Sequence, residues 1–221
     1  MLKDIIQSIR FKWADEKGLT KQFKDLAPYF LYGGYIRVLD RYRIYIKRVE
    51  FYFHSEQPNG IKDEIVYHRN NYHVAGKLPY FKPLTFHAHA SGYDIAFESD
   101  SDQYRASVLI REYEIYDEKS EENGNFLVWD KTIEKFIYSI DPSTNTQSTY
   151  LYDFLNGFGD AGAIEWRDDI SSLFDKHDDL KIEKRQGVYS KDNKKWADVS
   201  KYDEKRNRKW SFSRKEYIPI K

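Results

Sequence analysis

The stretch that most constrains this chain is Tyr42–His54, YRIYIKRVEFYFH. It is rich in aromatic and β-branched residues and holds neither Gly nor Pro, so it predicts a long strand. Side chains alternate sides along a strand. Unbroken alternation puts Tyr42, Ile44, Ile46, Arg48, Glu50 and Tyr52 on one face, with Arg43, Tyr45, Lys47, Val49, Phe51 and Phe53 on the other. Glu50 then stands near the end of a largely apolar face, beside an aromatic ring. A carboxylate in that setting is a candidate site. A surface Glu on an edge strand is the plainer reading, and spacing by itself favours it.

The 221 residues suffice for one large domain or two small ones with a real core. Aromatic residues make up 17% of the chain, with 19 Tyr, as expected of a β-rich protein with half-buried binding surfaces. There is no Cys, which excludes disulfides, thiolate chemistry and Cys-ligated zinc. No apolar run approaches the roughly 20 residues of a membrane span, and MLKDIIQSIRFKW lacks a signal-peptide core. A cytoplasmic monomer with no membrane contact is the expectation.

Formal charge sums to zero but is unevenly spread. Asp153–Glu183 carries nine acidic and three basic residues, a net of −6; Lys191–Lys215 carries ten basic and four acidic, a net of +6. The basic run is interleaved with Trp196, Tyr202, Trp210 and Phe212. Cations among aromatics suit a nucleic-acid backbone and its bases, with Lys194, Lys195 and Arg208 as contacts. A charged face paired with the acidic segment is the alternative. The hairpin around Asp40-Arg41 adds a cationic group that includes Arg43.

Along the chain, Leu2, Ile5, Ile6 and Ile9 have helical spacing and predict a helix from residue 2 to about 16, ended near Gly18. A second helix is expected over Thr20–Tyr32, with Asp25 capping its later part and Gly33 at its stop. Tyr35–Leu39, Thr85–Ser91, Tyr93–Glu98 and Ala106–Tyr116 read as strands, and Gly187–Tyr189 and Trp210–Ile220 as closing strands. Residues 126–140 are ambiguous; Thr149–Asn156 and Ile164–Leu180 read as helices. His87 and His89 alternate with small residues on one strand face. Such a pair can hold a metal, or stack on and hydrogen-bond to a base; no third ligand follows at a fixed spacing. Phosphate-cradling and nucleophile-elbow motifs are absent.

Several short motifs fall in an order that resembles a known family. They are L-A-x-x-F-L-x-G at Leu26–Gly33, V-E-F-Y at Val49–Tyr52, D-E-x-x-x-H at Asp63–His68 and K-P-x-T at Lys82–Thr85. H-A-H-A-S-G at His87–Gly92, V-L-I-R at Val108–Arg111 and a late W-A…W-S-F at Trp196–Phe212 follow. The order is similar to that of the methylpurine (alkyladenine) DNA glycosylases, over about residues 20–218. The resemblance implies a single α+β domain: a curved, mostly antiparallel sheet or partial barrel with flanking helices, over residues 20–221, behind an N-terminal helix in residues 1–19. It also resembles the C-terminal domain of methionyl-tRNA formyltransferase in the fold this implies.

By the same resemblance Glu50 matches the water-activating glutamate and Arg111 the arginine beside the catalytic water. Tyr52 matches an aromatic stacked on the flipped base, and His68 a pocket histidine. His89 stands where the family has a second stacking ring, with His87 on the same face. Ser91 stands where the family inserts a Tyr into the DNA gap. The implied reaction is hydrolysis of an N-glycosidic bond through an oxocarbenium-like sugar, with the carboxylate orienting and deprotonating water. No metal or organic cofactor is implied, and the partner is DNA carrying a modified base. Two alternatives stand beside this: a non-catalytic protein of the same fold binding a modified base or free nucleotide, and a metal-dependent enzyme using His87 and His89.

Overall fold

The computed structural model describes residues 1–63, 65–66, 79–89, 92–118, 164–171, 173, 179–185, 189–192, 195–198 and 208–215. For 88, 89, 92, 189–192 and 195–198 only the backbone is described. Two helices, α1 (Leu2–Ser8) and α2 (Glu16–Leu31), precede strands β1 (Gly34–Val38) and β2 (Tyr42–Ser55). There follow β3 (Thr85–His89), β4 (Gly92–Ala96), β5 (Tyr104–Asp117), β6 (Ile164–Asp168), β7 (Leu180–Glu183), β8 (Tyr189–Asp192), β9 (Lys195–Asp198) and β10 (Ser211–Arg214). This is a mixed α/β fold with an eight-stranded antiparallel sheet that does not close; β8 and β9 form a separate hairpin. None of the described helices is long and apolar enough to cross a membrane.

The single helix expected from residue 2 to 16 is cut short. Ile9 turns extended, and the connector's Lys12 N–H and Arg10 carbonyl are taken by the Gln22 side chain at 2.8 and 2.9 Å. Asp15 then caps α2, accepting from the Gly18 N–H at 3.1 Å. The capping role expected for Asp25 therefore falls to Asp15; Asp25 sits mid-helix and pairs with Lys21 one turn away. A division at residue 19 falls inside α2, and Leu2 and Ile6 of α1 are buried in the same core. Pro28 lies within the last turn of α2.

The core side of the sheet is aromatic. Phe23 of α2 stacks on Phe51 at 4.6 Å and meets Trp210 edge-on at 5.0 Å, while Phe53 stacks on Tyr104 at 5.0 Å. Such pairs add about 0.5–1.5 kcal/mol each beyond area burial. Gly34 opens β1 because a Cβ there would come within 2.2 Å of the Arg167 carbonyl on β6. Residues 164–168, read from spacing as helix, are this edge strand, paired with β1 from Gly34↔Asp168 to Val38↔Ile164. Ile170, inside the segment read as helix, is exposed. The expected helix at 149–156 and the ambiguous segment 126–140 lie outside the described residues.

The long strand departs from simple alternation at one place. Ile46 pairs Tyr113, Arg48 pairs Glu112 and Val49 pairs Ile110. Lys47 is thus an extra residue in β2, and Arg111 an extra residue in β5 directly beyond it. The two bulges cancel in count but invert the phase of both strands. Ile44 and Ile46 face the core before them; Val49, Phe51 and Phe53 face it after. Glu50 and Tyr52 therefore do not share the face of Ile44 and Ile46, as unbroken alternation had placed them. The same region is where the sheet forks: the far edge of β2 pairs with β1 over Tyr42–Ile44 and with β10 over Arg48–Glu50.

Candidate functional site

Beyond the bulges, the face of the sheet turned away from the helices carries polar side chains in rows. His87, Asp94, Leu109, Glu50, Ser211 and Glu183 stand side by side on β3, β4, β5, β2, β10 and β7. The next row runs Thr85, Ala96, Ser107, Tyr52. Laterally paired residues share a face, so the pairing alone brings these groups together.

Glu50 is the centre. It has 0% exposed surface. Its Oε2 accepts from Arg111 Nε at 2.8 Å and from the Tyr52 hydroxyl at 3.0 Å, with Arg111 Nη2 in ion-pair contact at 2.7 Å. Arg111 Nη2 also donates to the Tyr52 oxygen at 3.2 Å. The bulge explains the reach: as the extra residue of β5, Arg111 is swung off the regular ladder toward Glu50. Arg48 approaches the other carboxylate oxygen at 3.9 Å and donates its Nε–H to Ser211 Oγ at 3.0 Å. Burial pushes the Tyr52 phenol up, and the Glu50 charge pushes it further, so Tyr52 stays a donor at neutral pH. Burial opposes the Arg111 charge, but Tyr52 and Glu50 outweigh it and raise that guanidinium.

One ring face of Tyr52 is covered. The Arg185 guanidinium lies 4.7 Å from its centroid and 5.3 Å from that of Trp210. Arg185 is buried and donates to Asp63 at 2.6 Å and to the Phe51 carbonyl at 3.3 Å. Its charge is disfavoured by burial but held by Asp63, for a net upward shift. A buried pair needs such partners, because an unpaired charge there costs several kcal/mol.

A half-buried aromatic pair borders the face: Phe81 and His87, ring centroids 4.9 Å apart. Nearby, Arg105 pairs with Glu98 at 2.9 Å and lies 3.7 Å over the Tyr80 ring, tying the 79–82 connector to the sheet.

Of the residues singled out in the sequence, Glu50, Tyr52 and Arg111 come into contact, and His87 lies on the same face. His89 shares the strand register of His87, but its side chain, like His68 and Ser91, lies outside the described residues. Among the described residues no three His, Asp or Glu side chains gather at metal-binding range.

The candidate backbone cations separate. Arg43 pairs with Glu118 and covers Tyr35 at 5.0 Å. Arg208, expected as a surface contact, has a side chain only 7% exposed. It reaches Glu16 at 3.1 Å and the Lys62 carbonyl at 3.2 Å and lies over Trp210 at 4.8 Å. Its guanidinium is committed inside the fold, because Trp210 is a core residue and draws it there. Lys195 is on β9, and Lys194 lies outside the described residues.

Sequence reasoning did not single out Arg185, and took Asp63 only as a motif letter and Arg48 only as a strand residue. Nothing local marks them; Arg48 meets Glu50 across the strand register, and the buried Arg185–Asp63 pair packs on Tyr52. No family model matches the chain, and neither the curated proteins nor the solved structures offer a match.

Proposed function

We propose that this protein hydrolyses the N-glycosidic bond of a modified base in DNA, taking the flipped base onto the polar face of the sheet with Glu50 as the water-activating carboxylate. The observation that supports this is the meeting of Glu50, Tyr52 and Arg111. They come from two strands and are 61 residues apart at the extremes, and they are the three residues the methylpurine glycosylase resemblance puts at the chemistry. Glu50 orients water and stabilises the developing positive charge on the sugar. Arg111 and Tyr52 hold the carboxylate at Oε2, and Arg48 stands 3.9 Å from Oε1. Base extrusion costs a few kcal/mol, and a stack on a ring such as Tyr52 or His87 returns about 1–3 kcal/mol. The test is incubation with oligonucleotides bearing a panel of modified bases, followed by alkali to cut at abasic sites. Strand cleavage dependent on the protein supports the reading, and none across the panel removes it.

A second reading is favoured by one specific observation: Glu50 has no exposed surface, and its Oε2 is held by two hydrogen bonds and the Arg111 ion pair. A carboxylate so enclosed suits a protein that binds a modified base or nucleotide and leaves it intact. Titration of the same oligonucleotides and of free nucleotides separates the two, since saturable binding without abasic product selects the binder.

A further inference from the structure

We propose that the outer edge of β6 is a self-association surface, where a second copy of this chain adds its own β6 antiparallel and joins the two sheets. This replaces the monomer expected from the sequence with a reversible dimer. It goes beyond the hydrolytic reading and does not depend on it.

The inner edge of β6 pairs with β1, and among the described residues no strand pairs with its outer edge. The Asp169 N–H donates to the Gly33 carbonyl at 2.8 Å, continuing the same register. Asp169, Arg167 and Glu165 therefore turn their peptide groups toward β1, and alternation turns those of Ile164, Trp166 and Asp168 outward. An unpaired row of that kind is a template for another strand. The side chains alternate as well. Ile164 belongs to the core and Trp166 packs against it. Glu165 and Arg167 stand on the opposite face, their side chains 50% and 58% exposed.

The charges select the occupant. A row of one sign would repel a second copy, but this strand carries Glu165 and Arg167 in alternation with apolar Ile164 and Trp166. A two-fold axis at Trp166 sets that residue against its own copy and Ile164 against Asp168. Glu165 then stands directly across from Arg167, twice by symmetry. The outward peptide groups of Ile164, Trp166 and Asp168 all gain partners in this register. Within one chain Arg167 Nε already donates to Glu165 Oε1 at 2.7 Å; pairing extends that contact into a ring of four charges alternating in sign. The smallest slide that keeps both faces is two residues. It sets Glu165 against Glu165 in one direction and Arg167 against Arg167 in the other. Two of the three large apolar side chains exposed among the described residues, Leu39 and Ile170, flank the strand. Leu39 follows Val38, the partner of Ile164, and Ile170 lies just past Asp168. Antiparallel pairing brings Leu39 of one copy and Ile170 of the other to the same end of the joint. A strand of 5 residues makes a small interface, of the weak and reversible class.

Sedimentation velocity on the full chain, from about 1 μM to about 1 mM, should show monomer passing to dimer. Glu165→Arg sets Arg against Arg at both symmetric contacts, and Arg167→Glu sets Glu against Glu. Each should raise the dissociation constant about tenfold or more. Both positions are exposed, so each variant keeps the fold. Their one-to-one mixture should restore the dimer, since every cross-strand contact in the mixed pair is again Arg against Glu. The chain has no Cys, which permits a second readout. Glu165→Cys and Arg167→Cys, mixed and oxidised, should form a disulfide-linked pair, because opposite residues outside the ladder bonds lie about 4.5 Å apart at Cα. Neither variant alone should do so, as equal positions lie about 7–8 Å apart on the diagonal. A wild type that stays monomeric throughout, or a charge-variant mixture that associates no better than its components, overturns the proposal. Ile182, the third exposed apolar side chain, lies on β7, whose outer edge also has no partner among the described residues. Dimerisation that Ile182→Lys abolishes and the charge variants leave unchanged overturns it too.

Discussion

Replacing Glu50 by Gln tests the centre of the polar face most directly. The side chain keeps its size and one acceptor oxygen but loses its charge. Three polar contacts now converge on Oε2: hydrogen bonds from Arg111 Nε and the Tyr52 hydroxyl at 2.8 and 3.0 Å, and the ion-pair contact of Arg111 Nη2 at 2.7 Å. Hydrogen bonds to a charged group are worth about 1.5–3 kcal/mol and neutral ones about 0.5–1.5, so each donor loses about 1 kcal/mol. The sum, about 3 kcal/mol, matches the low end for breaking one side of a buried pair. It belongs there because Arg111 keeps a 13% exposed side chain and some access to water. Arg111→Met should cost about as much, since it strands the Glu50 charge. The double variant should lose about 3 kcal/mol in total rather than 6, because removing both partners leaves no stranded charge. Urea unfolding reads this as a lower midpoint with an unchanged slope, and melting drops by about 6–12 °C for each single variant. If either single variant loses under about 1 kcal/mol, or the double equals the sum within about 0.5 kcal/mol, Glu50 and Arg111 are not the coupled pair described.

Under the hydrolytic reading, Glu50→Gln should also abolish abasic-site formation while oligonucleotide binding stays within a few fold; a gel-based excision assay with wild-type-like product removes Glu50 from the mechanism. Arg185→Lys should destabilise by about 3 kcal/mol or more, since an ammonium cannot lie flat between Tyr52 and Trp210 and still reach Asp63 and the Phe51 carbonyl; chemical unfolding measures it, and a neutral outcome would show that the planar group is not needed. Burial raises the Tyr32 phenol to about 12. The unfolded chain then ionises first, so this stability is whole below about pH 10 and is lost as pH rises toward 12, by roughly 2–3 kcal/mol. Tyr32→Phe should flatten that part of the stability–pH curve, and an unchanged curve refutes the assignment. If the proposed DNA partner is right, neutralising Lys194 and Lys195 should weaken binding for all sequences and reduce the salt slope by up to about two contacts; titration at several salt concentrations measures it, and an unchanged slope makes that run a solvated face.

Local composition determined much of the fold. A strand over Tyr42–His54 needed only its β-branched and aromatic residues, and β2 ends one residue beyond. The apolar start of Ala106–Tyr116 likewise marked β5, which extends two residues before it and one after. These are properties of consecutive residues, so they survive any tertiary arrangement. The bulges at Lys47 and Arg111 are not, because an extra residue exists only relative to the partner strand's register. They decided which residues share the face of Glu50, and no periodicity within one strand could show that. The same holds for Asp15 over Asp25 as the cap, where competition from Gln22 for the connector set the helix start. Ile164–Asp168 became a strand because β1 offered an edge to pair with, against a helical spacing that had no pairing information in it. Glu50, Tyr52 and Arg111 stood out in the sequence by their motifs. Asp63, Asp94, Arg185 and the inward turn of Arg208 were settled by strand pairing and core packing, since a charge is buried only where the fold brings its partners to it.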